Sequence, residues 1–473
     1  MASAAGIPPY LSIDPTLALA ELGAPTGTDG FRQIAKACAK GRADLVSRGA
    51  NDAGKKNLRL FSTWEITRYL IPVAQAHFRR VIKQNPALPQ GLSETEGGAK
   101  WFTLDEVLRL RAFFAAEGSK AKEYLPYRPE GLPAKIAAVA NFKGGVGKTS
   151  TAAHLAMSAA LDGYKVLLID LDSQGSMTSI FGGKVEDEWQ TVFPLLARHY
   201  GEHLQGENRA RASRGENPLP FDDALSEAMG ATARELIQST HWPNIDLLGA
   251  QLNLYWAEFQ IPVWRMQGRG WRLWDALTDR LEADGVLDTY DLVLLDTPPA
   301  LGYLTINGLA AADILLVPMG ASFLEFDSTG RFFDMLHATF QSIEEGENIA
   351  ARALGQPELA FEWDAVRAVL TRYDGAQQAE MAALMQAYLG PTLSPHRQGF
   401  TALIGQAGES VNGIYEADYR DFNRETYARG RETFDATYAA FKKLLIGAWA
   451  KDMAAKEMAA TETVAHAPTA KAG

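Results

Sequence analysis

The stretch Lys143-Gly144-Gly145-Val146-Gly147-Lys148-Thr149-Ser150 follows an apolar run at 136–142 and precedes residues 150–161, where small and apolar side chains recur at helical spacing until Gly163 and Tyr164. Strand, glycine-rich loop and helix in that order form the setting of a phosphate-binding loop. Glycines at 144, 145 and 147 leave backbone N–H groups free to wrap an anion, and the helix that follows directs its partial positive end at the same place. The pattern assigns Lys148 to the β and γ phosphates and the Thr149 hydroxyl to Mg²⁺, with Val146 and Ser150 completing the nucleotide-binding loop. A lone glycine turn would carry little weight. Here Lys and Thr also fall where the chemistry needs them.

Two later segments point to the same site. Lys165-Val-Leu-Leu-Ile-Asp170-Leu-Asp172-Ser-Gln174 reads as a buried parallel strand delivering Asp170 and Asp172 at its carboxyl end. Tyr290-Asp291-Leu-Val-Leu-Leu-Asp296-Thr-Pro-Pro is a second, and Asp296 stands where a Walker-B carboxylate supports Mg²⁺. Ligands of open α/β sheets sit at the carboxyl ends of strands, so these carboxylates can converge on the loop.

With a second lysine at 143, the LLIDLDSQG segment and DTPPALGYLTINGLAAADILLVP, the chain resembles the ParA/MinD family of deviant Walker A ATPases over residues 134–325, and more loosely to about 450. The resemblance implies that Lys143 crosses an ATP-sandwiched homodimer to the partner's phosphates. A cation supplied in trans neutralises charge on the transferred phosphoryl group, as an arginine finger does. The resemblance further implies that Asp172 positions the attacking water, that Asp170 supports the magnesium shell and that Thr371 and Arg372 contact adenine. Ser173 departs from the family's usual proline.

Composition bounds the rest. The 473 residues carry a net charge of -11 and 47% hydrophobic residues, enough for two or three domains with a real core. One cysteine, Cys38, excludes a disulfide framework and also the cysteine ligation of an iron–sulfur relative. No apolar run reaches 18 residues and the N-terminus lacks a signal pattern, so the expectation is a soluble, untargeted protein, and the resemblance implies a cytoplasmic, nucleoid-associated one. Residues 1–130 hold 18 Lys and Arg against 13 Asp and Glu, leaving 28 against 44 elsewhere. The basic part is the N-terminal extension.

Within it, Phe61 to Leu70 opens with a Ser/Thr cap, Ile71-Pro72-Val73 interrupts, and 75–84 resumes helically with Phe78, Val81 and Ile82 inward. Gln75, His77, Arg79, Arg80 and Lys83 face outward, and Gly97 to Phe102, with Lys100, reads as a hairpin wing. Two readings fit: a winged helix-turn-helix that sets a recognition helix in the major groove, or a helical packing module with solvated charges. The segment is similar to the winged-helix region of RepA-type partition ATPases, which implies operator DNA binding.

The expected organisation is an extension at 1–57 with a dimerisation helix over 31–48, a winged helix-turn-helix at 58–117, a linker at 118–133, an ATPase domain at 134–451 and a disordered tail at 452–473. The expected fold is α/β: a P-loop NTPase domain with a mostly parallel sheet flanked by helices, strands near 136–142, 165–170, 245–249, 291–296, 313–318 and 366–371, preceded by the small helical domain. Residues 201–219 read as an exposed loop, and the tryptophan-rich 256–274 stretch as core or interface packing in preference to a nucleic-acid surface. The amphipathic end at Phe441, Leu444, Leu445 and Trp449 reads as a helix packed on the sheet, with a membrane-binding helix as the alternative.

The function expected is a weak Mg²⁺-dependent ATPase of DNA partition that takes ATP, dimerises, binds DNA nonspecifically and is released by a centromere-binding ParB-type partner, with operator binding for autoregulation. The alternatives are a MinD-like membrane-positioning ATPase and an ATP-switched transcription regulator.

Overall fold

Runs of four to six apolar residues, buried on both faces, make the centre of the sheet. In chain order the strands are β1 (Phe61–Ser62), β2 (Trp101–Phe102), β3 (Lys135–Val139), β4 (Val166–Asp170), β5 (Gln238–Ser239), β6 (Ile245–Leu248), β7 (Leu292–Asp296), β8 (Ile314–Met319), β9 (Ala365–Tyr373) and β10 (Leu393–Gly399). The longer helices are α1 (Thr28–Ser47), α2 (Gln75–Gln84), α3 (Leu104–Glu117), α4 (Lys148–Leu161), α5 (Phe193–Ser213), α6 (Ala257–Gln267), α7 (Tyr303–Ala311), α8 (Phe323–Leu354), α9 (Gly375–Leu389) and α10 (Arg424–Ala465). This computed structural model describes residues 28–47, 57–93, 95, 98–117, 124–268, 270–355, 357–399, 413–422 and 424–465. They fall in two units, Met1–Asp52 and Ala53–Gly473. The first contributes α1, which carries exposed Phe31 and Ile34.

The eight-stranded sheet runs β10-β9-β8-β3-β7-β4-β6-β5, with every neighbouring pair parallel except β5 against β6. Alternate residues of a strand point to opposite faces, and two cores follow from it. Ala137, Val139, Val166, Leu168, Leu292 and Leu294 join the core shared with α4 and α10. Ile136, Ala138, Leu167, Ile169, Val293 and Leu295 join the core shared with α5, α6, α7 and α8. All six expected strands are present; the edge strands β5 and β10 were not anticipated. Their sequences, Gln-Ser and Leu-Ser-Pro-His-Arg-Gln-Gly, lack the apolar run of a central strand.

The N-terminal module is joined to this sheet through its core. Phe61, Ile66, Phe78, Ile82, Phe102 and Phe114 belong to the same cluster as Val139 and Val166. A buried ionic seam reinforces it: Arg59 meets the fully buried Glu65 at 2.8 Å, with the Tyr427 hydroxyl of α10 on both, and Arg111 of α3 meets Asp162 at 2.6 Å. The described part of the expected linker is packed as well. Tyr124 and Leu132 are buried, and Arg128 donates to the carbonyls of Tyr290 at 2.7 Å and Leu287 at 3.1 Å.

Two further expectations are corrected. Residues 201–213 are helical, the end of α5, because Gly201 packs tightly against Met229 and Phe221 and Leu204 is buried. Tertiary packing outweighs glycine's low helix propensity there. The tail is helical through Ala465, since its Ala, Lys, Glu and Met are good helix formers and Asp452 is tied to Lys135 at 2.9 Å. Residues 466–473 lie outside the described residues. Phe441, Leu445 and Trp449 are buried against the sheet, and Trp264, Trp271 and Trp274 are core residues.

Candidate nucleotide site

The loop between β3 and α4 is held from below. The Asn141 amide donates to the Pro318 carbonyl at 2.8 Å and its oxygen accepts from the Lys143 N–H at 3.1 Å, fixing the exit from the strand. Gly145 and Gly147 take φ of 73° and 84°, the left-handed region that side chains avoid. Glycine is required at both. Lys148 opens the helix, is nearly buried, and donates from Nζ to the Lys143 carbonyl at 3.3 Å across the loop. Burial lowers its pKa while the charges of Asp296 and Asp172 oppose that shift.

Thr371 and Arg372 brace the same loop. The Thr371 hydroxyl donates to the Val146 carbonyl at 2.8 Å and Arg372 Nη1 to the Gly145 carbonyl at 2.7 Å. Arg372 has φ of 53°, the one left-handed non-glycine among the described residues, a strained backbone at the lip of the site. Between them and the start of α8 lies a cavity of about 160 Å³ lined by Val146, Gly320, Ser322, Glu325, Thr371 and Arg372.

Asp170 and Asp296 are register partners at the carboxyl ends of β4 and β7. Both are fully buried. Asp170 is already satisfied: one oxygen accepts from the Asp172 N–H at 3.1 Å, the other from the Thr178 N–H at 2.9 Å and hydroxyl at 2.8 Å. Its carboxylate therefore shapes the 172–178 turn. Burial pushes its pKa up to about 7, against the pull of those hydrogen bonds. Asp296 differs. Both its oxygens are buried with no settled hydrogen-bond partner, and burial, with Asp170 and Asp172 adding repulsion, raises its pKa well above the carboxylate range; the nearby Thr149 hydroxyl and Lys148 act the other way. An orphaned carboxylate beside a hydroxyl at a helix start suits a hard divalent cation. Among the described residues no three His, Cys, Asp or Glu side chains cluster as a metal site, so nucleotide phosphates and water would complete the shell of Mg²⁺ held by Thr149 and Asp296.

Asp172 is half-buried at the mouth, its Oδ1 accepting from the Gln174 N–H at 3.0 Å. Lys143 does not reach into its own loop. Its Nζ is 2.9 Å from Glu325 Oε1, at the first turn of α8. Glu325 was missed in the sequence, although Ser322-Phe-Leu-Glu325 has the spacing of a capped helix start and the Glu325 N–H does bond the Ser322 hydroxyl at 3.3 Å.

The candidate DNA-binding residues stand apart, on the N-terminal module. Ser62 and Glu65 form a capping box, the chain turns at 71–74, and α2 buries Phe78 and Ile82 while His77, Arg79, Arg80 and Lys83 are exposed and Gln75 is half-buried. Leu92 and Trp101 bridge as antiparallel neighbours across the hairpin, and β2 pairs with β1. Arg79, Lys83, Gln90 and Lys100 line a cavity of about 540 Å³ between helix and hairpin.

Parallel sheet, left-handed glycine loop, Lys148 and Asp296 define a P-loop nucleotide-binding protein. Residues 134–349 match the AAA domain family. The chain is 30% identical to the "Putative replication protein A" of Sinorhizobium fredii over 84% of this chain and 88% of that one, and 34% identical to the chromosome-partitioning ATPase Soj of Thermus thermophilus over 62% and 96%. The chain belongs to the ParA/MinD family of deviant Walker A ATPases. A solved structure named "Partition Protein", at 18% identity, covers 89% of this chain and 99% of its own with a TM-score of 0.52, a likeness of fold. Among the described residues no helix is long and apolar enough to cross a membrane.

Proposed function

We propose that this chain is a DNA-partition ATPase that closes as a homodimer on ATP and Mg²⁺, holds DNA without sequence preference in that state, and is released by hydrolysis that a ParB-type partner stimulates. The observation that carries the reading is the division of labour between the loop's two lysines. Lys148 is buried in its own loop, whereas Lys143 points away from it, to Glu325. A second cation that does not serve its own phosphates is suited to serve a partner's.

In this reading Lys148 and the loop N–H groups bind the β and γ phosphates, while Thr149 and Asp296 hold the ion. Magnesium, when bound, offsets phosphate charge. Asp172, at the rim and tied to the Gln174 N–H, orients the attacking water, and Asp170 keeps the Asp172 turn in place. Thr371 and Arg372 act through the loop carbonyls they brace and through the cavity beside them, where adenine would lie. Lys143 of one protomer neutralises charge developing on the other's γ phosphate.

The N-terminal module adds operator binding for autoregulation. Support comes from α2 presenting exposed Arg79, Arg80 and Lys83 on the same module as Lys100 of the wing, cations suited to backbone phosphates, with Gln75, Arg79 or Arg80 available for base edges. The relative named Soj is a chromosome-partitioning ATPase by name, which fits this reading. The packing of Phe441, Leu445 and Trp449 into the core disfavours a membrane role for α10. The deciding experiment measures binding to nonspecific DNA, and to the DNA upstream of the gene, with ATP, ADP or no nucleotide. ATP-dependent nonspecific binding is expected; binding that ignores nucleotide would overturn the partition reading.

A further inference from the structure

We propose that Glu325 is a positioning residue for Lys143: it holds the second lysine off its own phosphate loop, and the dimer forms by exchanging that carboxylate for a partner's phosphates. The proposal rests on the trans role given to Lys143 above and names the group that sets how readily the trans contact is made.

The geometry favours a latch over a chance surface contact. Glu325 is the third residue of α8, so the positive end of the helix dipole faces its carboxylate. Its second oxygen accepts from the Gly320 N–H at 3.3 Å, and its own N–H is held by Ser322. Its side chain is only 15% exposed, against 36% for that of Lys143. One partner is fixed and the other is able to swing.

The backbone of Lys143 does not need to follow. Its N–H is bonded to Asn141 and its carbonyl receives Lys148 Nζ, so release is a side-chain rotation that leaves the loop intact. Glu325 also lines the cavity beside Val146, Thr371 and Arg372, next to the path of an entering nucleotide. It therefore competes for Lys143 with the chain's own phosphates as well as the partner's.

The strength of the pair suits a threshold. A partly exposed ion pair of this kind shifts an equilibrium by roughly two- to fivefold, which a triphosphate can outbid. Two such pairs break for each dimer, so removing them should raise the dimerisation constant by about 4- to 25-fold.

Glu325→Gln in the full chain tests this, because the amide oxygen still accepts from Gly320 while the charge is gone. Without nucleotide, acetylation of Lys143 by N-hydroxysuccinimidyl acetate, followed by peptide mass spectrometry, should run several-fold faster in the variant than in wild type. Equal rates would remove the ion pair and the proposal with it. Sedimentation with Mg²⁺ and a non-hydrolysable ATP analogue should then show tighter dimerisation in Glu325→Gln, no such gain when Lys143→Ala is also present, and near-wild-type behaviour in Glu325→Asp. A gain that persists without Lys143 would show Glu325 acting through the nucleotide cavity and overturn the positioning role. A wild-type chain that stays monomeric at every analogue concentration would instead sink the shared-ATP reading, and the labelling result would still judge the pair.

Discussion

The phosphate loop and the N-terminal module both depend on charge, and they carry it in opposite ways. At the loop, Lys148, Asp170 and Asp296 are buried, their protonation is displaced by burial, and Asp296 has no settled partner. On the module, Arg79, Arg80, Lys83 and Lys100 lie in water. Buried, incompletely paired charge is expensive unless a ligand completes it, which makes the loop a site built for one small, highly charged ligand. Solvated cations on an outward helix make contacts that are individually weak and add along a polyanion. The regions also differ in what holds them. The loop is braced from Pro318, Thr371 and Arg372, the module by a shared apolar core and an ionic seam to α4 and α10.

The seam offers the largest way to break the comparison. Arg111 is buried, meets Asp162 at 2.6 Å and donates to the Tyr124 carbonyl at 3.0 Å. Arg111→Ala should cost about 3–5 kcal/mol of unfolding free energy, because the Leu70 and Tyr124 carbonyls lose a buried donor and Asp162, which keeps Lys442 and Tyr438, loses one of its partners. Denaturant titration checks it; a cost under about 1 kcal/mol would mean that the Arg111 half of the seam does not hold the module.

Next comes Lys148→Ala, which should weaken ATP binding about 100-fold or more, a loss of roughly 3 kcal/mol, in calorimetric titration. Asp172→Ala should retain ATP and accumulate the dimer. Normal hydrolysis by the Asp172 variant would end its water-positioning role.

A smaller effect comes from His154, buried in α4 one turn beyond Ser150. Its Nδ1–H donates to the Ser150 carbonyl at 2.7 Å, its Nε2 accepts from the Ile414 N–H at 3.1 Å, and its ring stacks on Phe434. Burial lowers its pKa to about 4. The unfolded chain, with histidine near 6.5, therefore binds more protons between pH 6.5 and 4, and stability falls as pH drops through that window. The expected loss from pH 7 to pH 5 is about 2 kcal/mol. His154→Gln should remove this slope from denaturation curves; an unchanged slope would assign it elsewhere.

The smallest effects belong to the module. If the module takes DNA as proposed, Arg79→Ala and Lys83→Ala should each lower the salt dependence of that binding by about one unit of log–log slope while leaving ATP affinity unchanged. Coupled losses in both would merge the two regions into one site.

Much of the site was legible before any coordinates, because its residues are contiguous and obey local rules. Glycines at 145 and 147 must be left-handed, a lysine and a threonine must follow, and carboxylates must end apolar strands; the loop, Asp296 and all six central strands were placed by such patterns. Asp170 was legible as a residue but not in its bonding, since Thr178 lies eight residues on. Glu325 was not legible as a partner of Lys143, 182 positions away in a segment whose local pattern suggests only a helix cap. The helical end of α5 and the helix beyond residue 451 escaped for a related reason: contacts from Met229, Phe221 and Lys135 decide them.

By itself, then, the sequence determined the class of loop this chain carries, because the demands of a phosphate on glycine, lysine and hydroxyl are met within eight residues. Only the tertiary structure decided where the second lysine rests and how the basic module is attached. Ion pairs and shared cores join residues far apart in the chain, and local periodicity holds no record of which distant side chain will arrive.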